Sequence, residues 1–202
     1  MNELNPGQLM LLIAGGVLLL ALIWLIATFN RFVRLRQYLR ESWADIDVEL
    51  KRRYDLIPNL VATVKGYAAH ERETLEAVIR LRNQALEHVT GVGTAAIQAH
   101  DAAEVAGALR RVFAIAESYP QLKADRNFLA LQQQLADTED RIAAARRFYN
   151  ANVRDFTQLK TMFPTSTIAA LFGISDTPAY FELDGAERVV PRVELSQTQP
   201  GV

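Results

Sequence analysis

The chain contains no cysteine. That excludes disulfides, a zinc–thiolate site, an iron–sulfur cluster and a lipid anchor on an N-terminal cysteine. Histidine is scarce, with three among 202 residues. His70-Glu71-Arg72-Glu73-Thr74 begins like a helical zinc-protease motif but carries Thr74 where the second histidine must stand, so a zinc ion would lack one face of its site. His88 and His100 flank a glycine-bearing stretch without any ligand spacing. The chain also lacks a Gly-x-Ser-x-Gly elbow, a phosphate-cradling glycine loop and a dinucleotide fingerprint; Gly91-Val92-Gly93 follows no strand pattern. The acid pairs Asp45/Asp47 and Glu139/Asp140 fall outside the apolar periodicity and read as solvated faces. No catalytic, cofactor-binding or metal-binding residue is therefore assigned, and the chain is expected not to be an enzyme.

A dominant charge sign is missing as well. The 22 basic and 23 acidic side chains leave a formal net charge of −1, and without a basic stripe a nucleic-acid partner is not expected. Period-two alternation is absent between residues 31 and 163, which argues against sheet.

Charge is wholly missing from Leu9 to Phe29, a run rich in Leu, Ile, Ala and Val. As a helix this run is roughly 31 Å long, enough to cross a hydrocarbon core of about 30 Å. The leader before it carries Glu3 and no basic residue, and Ile26-Ala27-Thr28 makes a poor cleavage site, so an uncleaved anchor is expected rather than a signal peptide. Arg31, Arg34, Arg36 and Arg40 lie just beyond the span with no acid among them. By the positive-inside rule they put residues 1–8 outside and the rest of the chain in the cytoplasm, and they are placed to meet anionic lipid headgroups of the bilayer.

After the span, apolar residues recur every three or four positions, the stripe of a packed helix. Stepping from Leu39 gives Trp43, Ile46, Leu50, Arg53, Ile57, Leu60, Val64 and Tyr67. The register runs through Pro58 without a change of phase, which predicts one long helix kinked there; a break near Asp55, which would cap a second helix, is the alternative. A second helix is expected from about Glu71 to His88 with Leu75, Val78, Ile79 and Leu86 inward, then a loop at Gly91, Gly93 and Thr94. A third carries Ala102, Val105, Leu109, Val112, Ala116 and Tyr119 and ends at Pro120. The fourth is expected from Asn127 to Phe163, terminated by Pro164, with Ser166 capping a short helix that ends at Gly173. The fold class is all-α: a transmembrane helix (9–29), an antiparallel bundle of three to four long helices (30–174) and an extended or disordered tail (175–202).

Polar groups stand close to the stripe in two places: Arg53, Asp55 and Asn59 around Tyr54 and Pro58, and Asn150, Asn152 and Arg154 around Tyr149. A buried polar group is costly unless paired, so these two clusters are expected to meet across the bundle and fix its register, against the simpler reading that both lie on solvated faces.

Arg52-Arg53-Tyr54-Asp55-Leu56-Ile57-Pro58-Asn59-Leu60-Val61, continued by Thr63-Val64-Lys65-Gly66-Tyr67-Ala68 and His70-Glu71, resembles the hallmark of the LemA family. A second block agrees with it: Phe128, Leu131-Gln132, Leu135, Thr138-Glu139, Arg141-Ile142, Ala145-Arg146, Tyr149-Asn150 and Val153, followed by Phe163-Pro164 and Leu171-Phe172-Gly173. The resemblance spans most of residues 10–182. Where the family usually repeats a Tyr-Asn pair, this chain has Phe156-Thr157. The resemblance implies an anchored helical bundle in the bacterial cytoplasmic membrane and supplies no catalytic activity. It points instead to membrane scaffolding, including magnetosome formation in some bacteria, and to a membrane zinc metalloprotease as a candidate partner. The function expected is a membrane-tethered scaffold or adaptor that binds a membrane protein or itself; a signalling stalk is the alternative.

Overall fold

The computed structural model describes residues 6–91 and 94–182. Among them there are six helices and no strand: α1 (Pro6–Lys65), α2 (Arg72–Thr90), α3 (Ala95–Ser118), α4 (Pro120–Lys123), α5 (Arg126–Thr161) and α6 (Thr165–Leu171). The expected all-α architecture is what the chain adopts.

The first helix is unbroken for 60 residues, roughly 90 Å at 1.5 Å per residue. Its two halves live in different surroundings. Every side chain from Pro6 to Trp24 is exposed, although this is the most apolar part of the molecule. From Thr28 onward one stripe sinks into the bundle: Phe32, Leu35, Leu39, Ser42, Ile46, Leu50, Arg53, Ile57, Leu60 and Val64 are buried. Each fully buried leucine or isoleucine contributes about 1.5–3 kcal/mol of hydrophobic stabilisation. The stripe follows the expected register, except that small Ser42 lies at the seam, Trp43 is only partly buried, and Tyr67 lies past the end of α1 and is exposed.

Pro58 lies inside α1, where it has no N–H to give the Tyr54 carbonyl four residues back. Arg82 of α2 supplies the missing donor: its Nε donates to the Tyr54 carbonyl at 3.1 Å. The same guanidinium stands 3.6 Å from the Asp55 carboxylate. The flaw that proline makes in the α1 ladder thus becomes a docking point for α2, and the break considered near Asp55 does not occur.

Across from this, α5 runs antiparallel to α1. As residue numbers rise along α1 they fall along α5: Phe32 meets Phe156, Ser42 meets Asn152, Arg53 meets Glu139, and Tyr67, just past the end of α1, meets Asp125. The buried face of α5 includes Phe128, Leu135, Ile142, Tyr149 and Phe156. A hairpin of α2 and α3 covers the other side, with Val78, Ala85, Ala99, Val105 and Val112 in the shared core.

Helix ends follow from local chemistry. Thr94 caps α3 by accepting from the Ile97 N–H, and Asp125 caps α5 by accepting from the Phe128 N–H at 2.9 Å. α5 ends at Thr161, short of the expected Phe163. Ser166 is not the cap of α6, which begins at Thr165. The Thr165 hydroxyl instead donates to the carbonyls of Leu159 and Met162 and closes α5. At the far end of α6, Gly173 takes φ 64°, and the N–H groups of Gly173 and Ile174 return to the carbonyls of Ala170 and Ala169. This is a Schellman ending that requires the left-handed residue at that point. The expected extended tail is described only as far as Glu182; residues 175–182 form neither helix nor strand, and residues 183–202 lie outside the described part.

Two predictions follow from these local bonds. Arg82→Ala leaves the Tyr54 carbonyl without a donor and should cost about 1–3 kcal/mol in denaturant unfolding. In a Pro58→Ala background, which restores the N–H, the same substitution should cost less, so the double-mutant cycle should show positive coupling. Asp125 is held below the usual carboxylate range by the Phe128 N–H and then by the Tyr67 hydroxyl. A depressed folded-state pKa contributes stability above the ordinary aspartate pKa that is lost as pH falls through the folded value. Acid-unfolding curves should therefore be shallower below pH of about 4 for Asp125→Asn, which keeps a capping oxygen but does not titrate.

Candidate functional site

The most buried charge in the bundle is Arg53, at 1% exposure on the inner stripe of α1. Its Nη1 donates to Glu139 Oε2 of α5 at 2.9 Å, and its Nη2 donates to the Ala102 carbonyl of α3 at 3.0 Å. One side chain therefore ties three helices. The guanidinium carbon also lies 5.5 Å from the centre of the Tyr54 ring, within cation–π range. Burial pushes the Tyr54 phenol above its ordinary value, with Arg53 opposing the shift. Asp47, one turn and a half away on α1, is raised by desolvation as well, with Gln98 of α3 opposing. On the neighbouring hairpin, His88 Nδ1 pairs with the buried Asp101 carboxylate.

This node holds three helices at one height. Glu139 read as a solvated face from the sequence. Its carboxylate is in fact half exposed, at 51%, while it neutralises an arginine that is not. A long side chain on the flank of a stripe reaches inward, and periodicity alone does not register that.

The second expected cluster does not meet the first. It sits further along α5, opposite the part of α1 that follows the apolar stretch. Asn152 Nδ2 donates to Ser42 Oγ at 3.2 Å, and Ser42 Oγ donates to the Tyr38 carbonyl at 2.7 Å. Asn150 and Tyr149 turn toward the segment after α6. The Asn150 amide donates to the Phe181 carbonyl at 3.2 Å and accepts from the Phe181 N–H at 2.9 Å, while the Tyr149 hydroxyl donates to the Ala179 carbonyl at 3.0 Å. Phe181, fully buried, lies against Trp43 and beneath the Arg146 guanidinium. Residues 175–182 are thus strapped across α1 and α5 by side chains that pattern reading assigned to a helix–helix contact.

The remaining candidates are at the surface. Pro58 and Asn59 are exposed, and the Asn59 carbonyl accepts from the Thr63 hydroxyl. Arg154 is exposed, 3.8 Å from Asp155. Phe163 and Pro164 form a cis peptide in the turn before α6, with Phe163 83% exposed. Arg31, Arg34, Arg36 and Arg40 are all exposed. Arg36 and Arg40 line a cleft of about 430 Å³ between α1 and residues 172–174, floored by Phe32 and Ile174. A larger groove of about 780 Å³ lies at the opposite end, between Val61 and Lys65 of α1 and Leu75, Ile79 and Arg80 of α2. His88 and His100 have different neighbours, Asp101 for the first and Glu104 at 3.9 Å for the second. Among the described residues no three potential ligands converge as a metal site.

The unequal exposure of Arg53 and Glu139 makes an asymmetric prediction. Glu139→Ala strands a buried cation and should destabilise by about 2–3 kcal/mol. Arg53→Met leaves only a hydrated carboxylate and should cost less than half as much, and Arg53→Met/Glu139→Ala should be more stable than Glu139→Ala alone. Chemical denaturation of the four proteins checks all three expectations.

Comparison with known proteins agrees with this architecture. The chain is 25% identical to "Magnetosome protein MamQ" of Magnetospirillum gryphiswaldense over 96% of its own length and 79% of the relative's. It is 23% identical to "Magnetosome protein MamQ 2" of Paramagnetospirillum magneticum, covering 86% of this chain and 72% of that one. With "Protein LemA" of Metamycoplasma hominis the identity is 26%, over 79% and 71% of the two chains. The sequence profile of the LemA family matches residues 42–195, which include both the Arg53 and the Asn150 contacts. The chain is a membrane-associated helical protein and belongs to the LemA family.

Proposed function

We propose that this protein is a non-catalytic, membrane-tethered interaction module, a scaffold or adaptor for a membrane protein complex. The observation that carries the reading is the continuity of α1. A single helix passes from a bare apolar stretch of spanning length into the centre of the bundle. The bundle is then attached to the bilayer without a flexible linker and presents its side helices at a set distance from it. In this reading residues 9–29 cross the membrane and residues 1–8 lie on its outer side. The bundle (30–174) and the following segment (175–202) lie in the cytoplasm, with Arg31, Arg34, Arg36 and Arg40 at the level of anionic headgroups.

The membrane-distal groove between α1 and α2 has an apolar floor, Val61, Leu75 and Ile79, and a charged rim that includes Lys65, Arg72 and Glu76. Such a surface suits the apolar face of a partner helix. The partner is a membrane protein or a second copy of the chain; a membrane zinc metalloprotease is the specific candidate that the family resemblance brings. The relatives named for magnetosomes favour a role in membrane organisation.

Photo-crosslinkers placed at Ile79 and Arg80 in intact membranes test this. The expected product is a discrete adduct, containing either the chain itself or one membrane protein, that is weakened by Leu75→Asp. Adducts with only unrelated abundant proteins, unaffected by Leu75→Asp, would sink the proposal.

A further inference from the structure

The end of the bundle nearest the apolar stretch of α1 carries an apolar patch that no helix covers among the described residues. Because α5 runs antiparallel to α1, its C-terminus travels toward the apolar stretch. Phe156 packs edge-on to Phe32, and beyond it Phe172 stacks on Phe29 with ring centres 4.8 Å apart. Phe29 is the last apolar residue before Asn30 and the first charge, Arg31. Packing reaches further still, since Thr28 is buried and Leu25 lies against the core. The turn from α5 into α6 therefore stands at the height where α1 leaves the hydrocarbon.

At that height the turn exposes large apolar side chains. Phe163 is 83% exposed, Leu171 73% and Met162 61%. From Phe156 to Ser175 there is one charged residue, Lys160, and its ammonium is directed back to the Ser175 carbonyl and the Thr177 hydroxyl. The three threonine hydroxyls of the turn are spent internally: Thr161 donates to the Thr157 carbonyl, Thr165 to Leu159 and Met162, and Thr167 to Pro164. A segment with apolar side chains outward, no acid to repel headgroups and its threonine hydroxyls already bonded meets the physical requirements for the interfacial layer.

We infer that the α5–α6 turn is a second, shallow membrane contact, with Met162, Phe163 and Leu171 entering the headgroup–acyl boundary of the leaflet from which α1 emerges. The occupant of the patch is the lipid surface, on whichever side of the membrane the bundle lies. The inference rests on the reading of residues 9–29 as a span. Its consequence is mechanical. One helix leaves a bundle free to tilt and to rotate about the helix axis, whereas a second contact beside it fixes both and aims the α2–α3 face in one direction relative to the bilayer.

The absence of cysteine makes the test direct. Phe163→Cys and Leu171→Cys, with Leu18→Cys as a lipid reference and Phe148→Cys as an aqueous one, are spin-labelled in the full-length chain. They are reconstituted into vesicles of phosphatidylcholine and phosphatidylglycerol. Collision rates are measured with oxygen, which partitions into hydrocarbon, and with a nickel chelate, which stays in water. The expected oxygen-to-nickel ratio at 163 and 171 is several-fold above that at 148 and below that at 18. A ratio at 163 and 171 equal to that at 148, with 18 still high, overturns the second contact and leaves the span reading standing. A low ratio at 18 as well overturns both. Low access to both reagents at 163, with dipolar broadening that disappears on dilution with unlabelled chains, would put a second copy on the patch and overturn the lipid contact.

Discussion

Arg53 places a full positive charge at the point where α1, α3 and α5 come together, and much of the bundle is arranged around making that charge tolerable. A guanidinium taken out of water needs an opposite charge and acceptors close by. Glu139 and the Ala102 carbonyl supply these to its two terminal nitrogens from two different helices, while its Nε is left without a partner. Sliding α5 by a turn along α1 would remove the carboxylate and leave the cation buried. An apolar seam alone tolerates such slips, because one leucine replaces another at little cost. The Ser42–Asn152 contact, closer to the apolar stretch of α1, penalises the same slip a second time.

The proline at position 58 works by a related logic. A missing N–H inside a long helix is a defect when nothing answers it, and here Arg82 answers it from α2. The defect therefore specifies where the α2–α3 hairpin docks. Together the two arginines divide the labour: Arg53 sets the height of α5 and α3 against α1, and Arg82 that of α2. With these contacts in place, the rod that begins as a bare apolar helix carries its side helices at a defined distance from that apolar stretch.

Much of this fold was legible before any coordinates. The stripe from Leu39 to Val64 is apolar at the helical period, apart from Arg53, and is the stripe that sinks into the core. The apolar run at the start of α1 was legible from its length and absence of charge, the quantities a hydrocarbon layer selects on. The site was less so. Arg53 stood out as a charge on an apolar stripe, and Asn150 and Tyr149 as polar groups beside one. Their partners did not. Glu139 lies on a flank, Ser42 is small, and Ala102 and Phe181 contribute backbone atoms that no side-chain pattern reveals.

The sequence by itself determined the helices, their inner faces and the apolar run that suits a membrane, because each depends on residues within a few turns of one another. Only the tertiary structure decided which polar groups share a contact. That outcome is set by the antiparallel offset of α1 and α5 over a hundred residues of chain, and it separated two clusters that the sequence placed together. It also decided that the α5–α6 turn returns to the level of Phe29. That placement follows from the lengths of two long helices, to which local chemistry is blind.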